Sequence, residues 1–150
     1  MAKSSWTSER NLLIAMLVFS LICFSVSILI QIKETTKAPI LDTICPVTPT
    51  GSGCQDVQSS KYSSIFGIKL SLLGILGFLA LSILITIELF RKHAVQKKLI
   101  IYKSMLVGIG GIALILIQAF ILNTFCTYCL IIDFSSIILL VLAVLILRKR

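Results

Sequence analysis

Four cysteines stand where thiol chemistry is possible. Cys126 and Cys129 form a C-x-x-C pair in "NTFCTYCLIIDF" (123–134), and Cys45 and Cys54 bracket eight residues in "TICPVTPTGSGCQDVQSS" (43–60). C-x-x-C spacing puts two thiols about one helical turn apart. At a helix start, unsatisfied N–H groups and the helix dipole favour a thiolate, which lowers a cysteine's pKa and activates it for disulfide exchange. Cys126 and Cys129 run directly into apolar sequence, so the position suits a reactive dithiol. Three other readings of the four thiols compete: purely structural disulfides, a four-cysteine zinc site, and unrelated buried thiols. C-x-x-C combined with C-x8-C matches paired zinc knuckles poorly, and no metal site is assigned. The fifth cysteine, Cys23, lies among Leu, Ile and Phe and reads as a small buried hydrophobe.

The elements that position these residues follow from composition. The chain has 150 residues, 57% hydrophobic and 13% charged, with a mean hydropathy of +1.06. That leaves too little polar surface for a soluble domain. Four apolar runs stand out: Leu12 to Ile30, Ile65 to Ile87 with only Lys69 charged, Ser104 to Leu122, and Phe125 to Leu147 with only Asp133 charged. Each is near the roughly 20 residues a helix needs to cross a bilayer. The first run is longer than a signal-peptide core of about 7–15 residues, and is read as a retained helix. The expectation is an all-α integral membrane protein, a single domain over 1–150. Its four-helix bundle has helices at about 11–32, 65–90, 100–122 and 126–147, with an extracytoplasmic loop over 33–64.

Charge gives the orientation. Lys3 and Arg10 precede the first helix, Arg91, Lys92, Lys97, Lys98 and Lys103 lie between the second and third, and Arg148, Lys149 and Arg150 end the sequence. The 33–64 loop balances Lys33, Lys37 and Lys61 against Glu34, Asp42 and Asp56. The positive-inside rule places both termini in the cytoplasm and that loop outside a cytoplasmic membrane. The net charge of +8 is largely this topology signal, and no basic patch interleaved with aromatics points to nucleic acid. Cys45, Cys54, Cys126 and Cys129 then share the oxidising side, as two disulfide-capable pairs. After Cys54 the loop permits a short helix that lays Val57 and Tyr62 on the membrane.

The order of a loop pair first, then C-x-x-C at the outer end of the last core helix, together with "CQDVQSSKYSSIFG", resembles the vitamin K epoxide reductase family over most of the chain. DsbB-type disulfide generators share the logic, with the C-x-x-C in their first outer loop. The resemblance implies a relay in which Cys45 and Cys54 take electrons from a separate thioredoxin-like partner. Cys54 exchanges with Cys126, and Cys129 faces a membrane quinone. It also implies that Ser60 holds the loop cysteines near the pair, and that Phe66 and Gly67 mark the mouth of the quinone pocket. Animal members carry an asparagine at the position of Ser63 and a tyrosine at that of Asp133, both on quinone oxygens. Many bacterial members carry a proline where Lys69 stands.

Ionisable groups inside a membrane are costly and usually face the bundle interior in pairs. At about 1.5 Å per residue, Lys69, Gln118 and Asp133 fall at similar depth, so Lys69 and Asp133 are expected to pair, with Gln118 in their layer, bordering the quinone and supplying protons. The glycines of "GIKLSLLGILG" and "GIGG" read as sites of close helix packing. The expected function is disulfide formation coupled to a quinone such as menaquinone, ubiquinone or vitamin K. Physiological reduction of the quinone or its epoxide is the enzymatic alternative. A structural or metal-handling tetraspan protein is the non-enzymatic one.

Overall fold

A computed structural model describes residues 2–36, 47–48, 51–91 and 94–148. In chain order the elements are α1 (Ala2–Thr36), a short antiparallel pair of β1 (Val47–Thr48) and β2 (Gly51–Ser52), α2 (Gly53–Ser59) and a 3-10 turn (Lys61–Ser63). A second such pair, β3 (Ser64–Ile65) and β4 (Ile68–Lys69), precedes α3 (Leu70–Phe90), α4 (Ala94–Leu116), a π-helical turn (Ile117–Leu122) and α5 (Thr127–Arg148). Four segments, Glu9–Thr36, Leu70–Phe90, Gln96–Leu122 and Thr127–Arg148, are long and apolar enough to cross a membrane. The shortest has 21 residues, about 32 Å of helix against a hydrocarbon core of about 30 Å. The four-helix expectation holds.

In lipid, apolar side chains gain little by leaving the solvent, so helix packing relies on small residues and polar contacts. The outward faces are accordingly greasy, with Val18, Leu76, Leu106, Ile109 and Val141 exposed, while Met16, Leu81, Ile85, Leu139 and Ala143 form the interior. Between α1 and α3 the Ser20 hydroxyl lies 3.1 Å from the Phe78 carbonyl and 2.9 Å from Ser82 Oγ. Between α4 and α5 the device is glycine. A Cβ on Gly108 would collide with Leu140 Cβ and lie 3.0 Å from the Ser136 carbonyl, and one on Gly111 would lie 3.1 Å from the Asp133 carbonyl. At the end of the bundle that carries the termini, Lys97 Nζ meets Glu9 Oε1 at 2.9 Å. Helix α1 packs on α3 and α5, and α4 packs on α5, whereas α3 and α4 touch sparingly.

Several helix bounds differ from expectation, and α1 at Ala2 and α4 at Ala94 begin earlier than the 11 and 100 read from the sequence. Helix α1 also runs on to Thr36, past the expected end near 32, which makes Lys33 and Glu34 helical. The second spanning helix begins at Leu70, not near 65, because the chain first turns back on itself. Ser64 pairs with Lys69 and Ile65 with Ile68. The two residues between, Phe66 (φ 53) and Gly67 (φ 80), both have positive φ, as a tight two-residue hairpin of the primed type requires. The short helix after Cys54 is present as α2. Cys45 lies outside the described residues.

Gly108→Ala should destabilise the bundle by about 1–3 kcal/mol, the usual cost of forcing atoms into a packed contact. Gly77→Ala, whose Cβ would meet nothing within 4 Å, should be at least as stable as wild type. Thermal unfolding of the detergent-solubilised protein reads both.

Candidate functional site

The site lies at the loop end of the bundle, opposite the termini, and is built around the turn from α4 to α5. Helix α4 loosens into the π turn at Ile117–Leu122 and stops at Asn123, which adopts the left-handed conformation (φ 48) and returns its backbone N–H to the Gln118 carbonyl. Asparagine visits this region more readily than most residues. The Thr124 N–H reaches the same carbonyl at 3.3 Å. The Gln118 side chain then bridges the two helices. Its Nε2 donates to Asp133 Oδ2 at 3.1 Å, and its Oε1 accepts the Cys126 N–H at 3.0 Å. Both Gln118 and Asp133 are buried.

Cys126 occupies the N-cap position of α5. Its sulfur accepts the Cys129 N–H at 3.3 Å, the bond an N-cap side chain ordinarily makes. The Cys129 thiol donates to Cys126 Sγ at 2.6 Å, about half an ångström longer than a disulfide bond. Both are free thiols. The Cys126 pKa is pulled below the ordinary thiol value chiefly by that hydrogen bond from Cys129. The Cys129 N–H and the Lys33 charge help, and burial opposes them. The shift is toward the thiolate at the cysteine that starts the helix, and its main source is the neighbouring thiol.

Cys54, at the start of α2, is fully buried and held in a disulfide. It shares one buried cluster with Ile30, Cys126 and Tyr128, and Cys129 and Val57 pack against the edge. Three of the four sequence-derived cysteines are therefore brought together.

In front of Cys129 opens a cavity of about 550 Å³, within the range of small-molecule and cofactor sites. It occupies the loosely packed seam between α3 and α4, beneath α2. Cys129, Asp133, Gln118, Ser60 and Ser63 all line it, with Gly77 and Gly110 leaving its walls flat. The Ser60 hydroxyl donates to the Val57 carbonyl at 2.7 Å and the Ser63 hydroxyl to the Ser60 carbonyl at 2.7 Å, so these two serines shape the end of α2 over the cavity.

The remaining expectations are corrected. Phe66 and Gly67 form the hairpin tip and do not line the cavity, and Phe66 is 101% exposed. Lys69 does not pair with Asp133. Its Nζ lies 3.0 Å from Glu34 Oε2, and its side chain is 54% exposed. The hairpin delays the helix start, which leaves Lys69 at the N-cap of α3 and at the mouth of the bundle, a full turn shallower than a helix starting at 65 would put it. Asp133 is partnered by Gln118 instead. Glu34, not foreseen as a site residue from the sequence, lines the cavity and takes part in a polar cluster at its mouth. There the Ser71 hydroxyl reaches Gln31 Oε1 at 2.8 Å and Glu34 Oε2 at 3.2 Å. The i, i+3 spacing of Gln31 and Glu34 on a continued α1 was the available signal. Among the described residues, no group of three or more His, Cys, Asp and Glu is placed to hold a metal ion.

Residues 14–144 match the family model described as "Vitamin K epoxide reductase family". No curated protein matches the chain.

With Cys45 and Cys54 replaced by alanine, the reduced protein should show a thiolate step, read by ultraviolet absorbance, at a pH below the roughly 8.5 of an ordinary cysteine. Cys129→Ala removes the main stabilising hydrogen bond and should move that step upward.

Proposed function

Because the chain belongs to the vitamin K epoxide reductase family, whose membrane proteins carry out redox chemistry, we propose that it is a thiol–disulfide oxidoreductase coupled to a membrane quinone. It takes electrons from a separate thioredoxin-like protein outside the cytoplasmic membrane and supports disulfide formation there. The observation that carries this reading is the double placement of Cys129. It touches Cys126 at 2.6 Å and lines an apolar cavity beside the cluster that holds Cys54.

In this relay Cys45 is the disulfide partner of Cys54. A thiolate of the reduced partner protein attacks Cys45, and the partner's second thiol resolves the mixed disulfide. The partner leaves oxidised, and Cys45 and Cys54 become thiols. The Cys54 thiolate then attacks Cys126 of an oxidised Cys126–Cys129 pair and releases Cys129 as a thiolate. Cys45 attacks the resulting Cys54–Cys126 bond, which regenerates the loop disulfide and leaves both helix cysteines reduced. The quinone accepts two electrons and two protons and becomes the hydroquinone, as the Cys126–Cys129 disulfide re-forms. Cys129 is the thiol that faces it. Asp133, fixed by Gln118 on the cavity wall, is the proton source, and Ser60 and Ser63 close the cavity from above. The loop end faces outward, as the cytoplasmic bias of Lys and Arg requires.

Family membership also favours a second reading, reduction of vitamin K or its epoxide as the physiological direction. Supplying the epoxide in place of a quinone separates the two.

The purified chain should oxidise a reduced thioredoxin-like protein only when a quinone is supplied, and alanine at Cys45, Cys54, Cys126 or Cys129 should abolish this turnover. If none of the four replacements slows it, the relay is wrong. Asp133→Asn should slow quinone reduction at least tenfold, since a positioned proton donor contributes about 10²–10⁴-fold. An unchanged rate removes Asp133 from the proton path.

A further inference from the structure

The described residues contain four buried side-chain polar atoms with no hydrogen-bond partner: Ser27 Oγ, Gln58 Nε2, Gln96 Oε1 and Ser104 Oγ. Ser27 and Gln58 both line the cavity, and the other two do not. Leaving a buried polar atom unpaired costs about 1–3 kcal/mol, so two such atoms around one cavity call for a hydrogen-bonding occupant of it.

Ser27 is the more telling. A serine or threonine inside a helix normally bonds back to the carbonyl four residues earlier. Three neighbours on α1 do so: Ser25 to Leu21 at 2.9 Å, Thr35 to Gln31 at 2.8 Å and Thr36 to Ile32 at 2.7 Å. Ser27 is 1% exposed and does not. Its hydroxyl instead lies beside Gly74 of α3, where a Cβ would come within 2.8 Å of Ser27 Oγ. Glycine thus leaves space next to the one hydroxyl on this helix wall that has nothing to bond.

The depth of Ser27 matches that of the reactive thiol. Cys23 Sγ lies 3.8 Å from the Ile132 carbonyl, which sets α1 against the antiparallel α5. Moving toward the loop end, Ser27 is four residues, about 6 Å, beyond Cys23. Cys129 is three residues, about 4.5 Å, beyond Ile132. The two side chains therefore stand at nearly the same level and border the same cavity. Gln58 comes to it from above, on α2.

We propose that Ser27 and Gln58 are the hydrogen-bond donors for one carbonyl oxygen of the quinone, holding its ring level with Cys129. This rests on the quinone reading above and adds the binding contacts that reading lacks. The chemistry is matched, because a quinone carbonyl is a pure acceptor and both orphan atoms can donate. The carbonyl oxygen gains negative charge as electrons arrive, so donors aimed at it help the reduction as well as the binding.

The test uses the purified full chain with a reduced thioredoxin-like protein as electron donor and menadione as acceptor. Ser27→Ala and Gln58→Met should each raise the KM for menadione by about 2- to 10-fold, the factor expected for one hydrogen bond. Without quinone both variants should unfold at the same temperature as wild type or higher, since each removes an unpaired buried group. The thermal stabilisation conferred by menadione should shrink in both. Unchanged KM in both variants, with wild type active, overturns this assignment alone. A raised KM accompanied by a loss of quinone-free stability marks the two as packing residues and also overturns it. Absence of any menadione reduction by wild type overturns the quinone reading and this inference with it.

Discussion

The Gln118 amide is the contact on which the loop end of the bundle depends. It is buried, so every polar atom it leaves unmet is expensive. One side chain meets two separate needs: it accepts the N–H of Cys126, an orphan donor at the start of α5, and donates to the carboxyl of Asp133, two turns further along the same helix. That geometry requires Gln118 to project from the end of α4 toward α5, and the π turn over Ile117–Leu122 is the local means. A π turn accommodates an extra residue within the helix, which rotates its last residues relative to those of a continued α-helix. Asn123 in the left-handed conformation then ends the helix and lets the chain reverse within four residues. Cys126 arrives as an N-cap because Gln118 is already there to receive its N–H.

The cavity arises from how helices meet when lipid supplies no hydrophobic drive. Contact needs small residues, and where they are used decides where space remains. In the short run 108–111, Gly108 and Gly111 are three residues apart on one face and draw α4 onto α5, with backbone atoms of Asp133 and Ser136 about 3 Å from where a Cβ would stand. Gly110 points elsewhere, as does Gly77 on α3, and nothing approaches either within 4 Å. The same residue type therefore closes one seam and leaves the other open. Close approach of α4 to α5 fixes the wall that carries Asp133 and Cys129, and the loose α3–α4 seam provides the room in front of it.

Much of this was legible in the sequence, for physical reasons that differ from residue to residue. The four spans could be read because bilayer thickness imposes a length, and the grouping of the cysteines because loop charge and spacing imply one side and one level. Asp133 and Gln118 could be placed in one layer from helical rise alone. The partner of Lys69 could not, since it depends on where α3 begins, and that is decided by two positive φ values at Phe66 and Gly67. A phenylalanine is an improbable residue for such a position, so the sequence carried no turn signal beyond the glycine. Glu34 reads as a loop charge because the uncharged apolar run ends at Ile30, yet α1 continues through it. Ser27 was invisible for another reason: a serine in a spanning helix usually bonds its own backbone, and only the structure distinguishes one that does not.

The arrangement also separates the sulfur atoms by what can reach them. Cys54 and Cys126 are both 0% exposed and sit in the cluster behind the cavity, whereas of the described cysteines only Cys129 lines it. A molecule confined to the cavity therefore meets one thiol, and reaches the others only through the 2.6 Å contact between Cys129 and Cys126. Cys54 meets Cys126 and Cys129 in that buried cluster, not across the open cavity. This division needs no moving gate. It comes from making Cys126 the helix cap, which turns its sulfur inward onto the Cys129 N–H, and from the helical spacing that carries the second thiol round to the open wall.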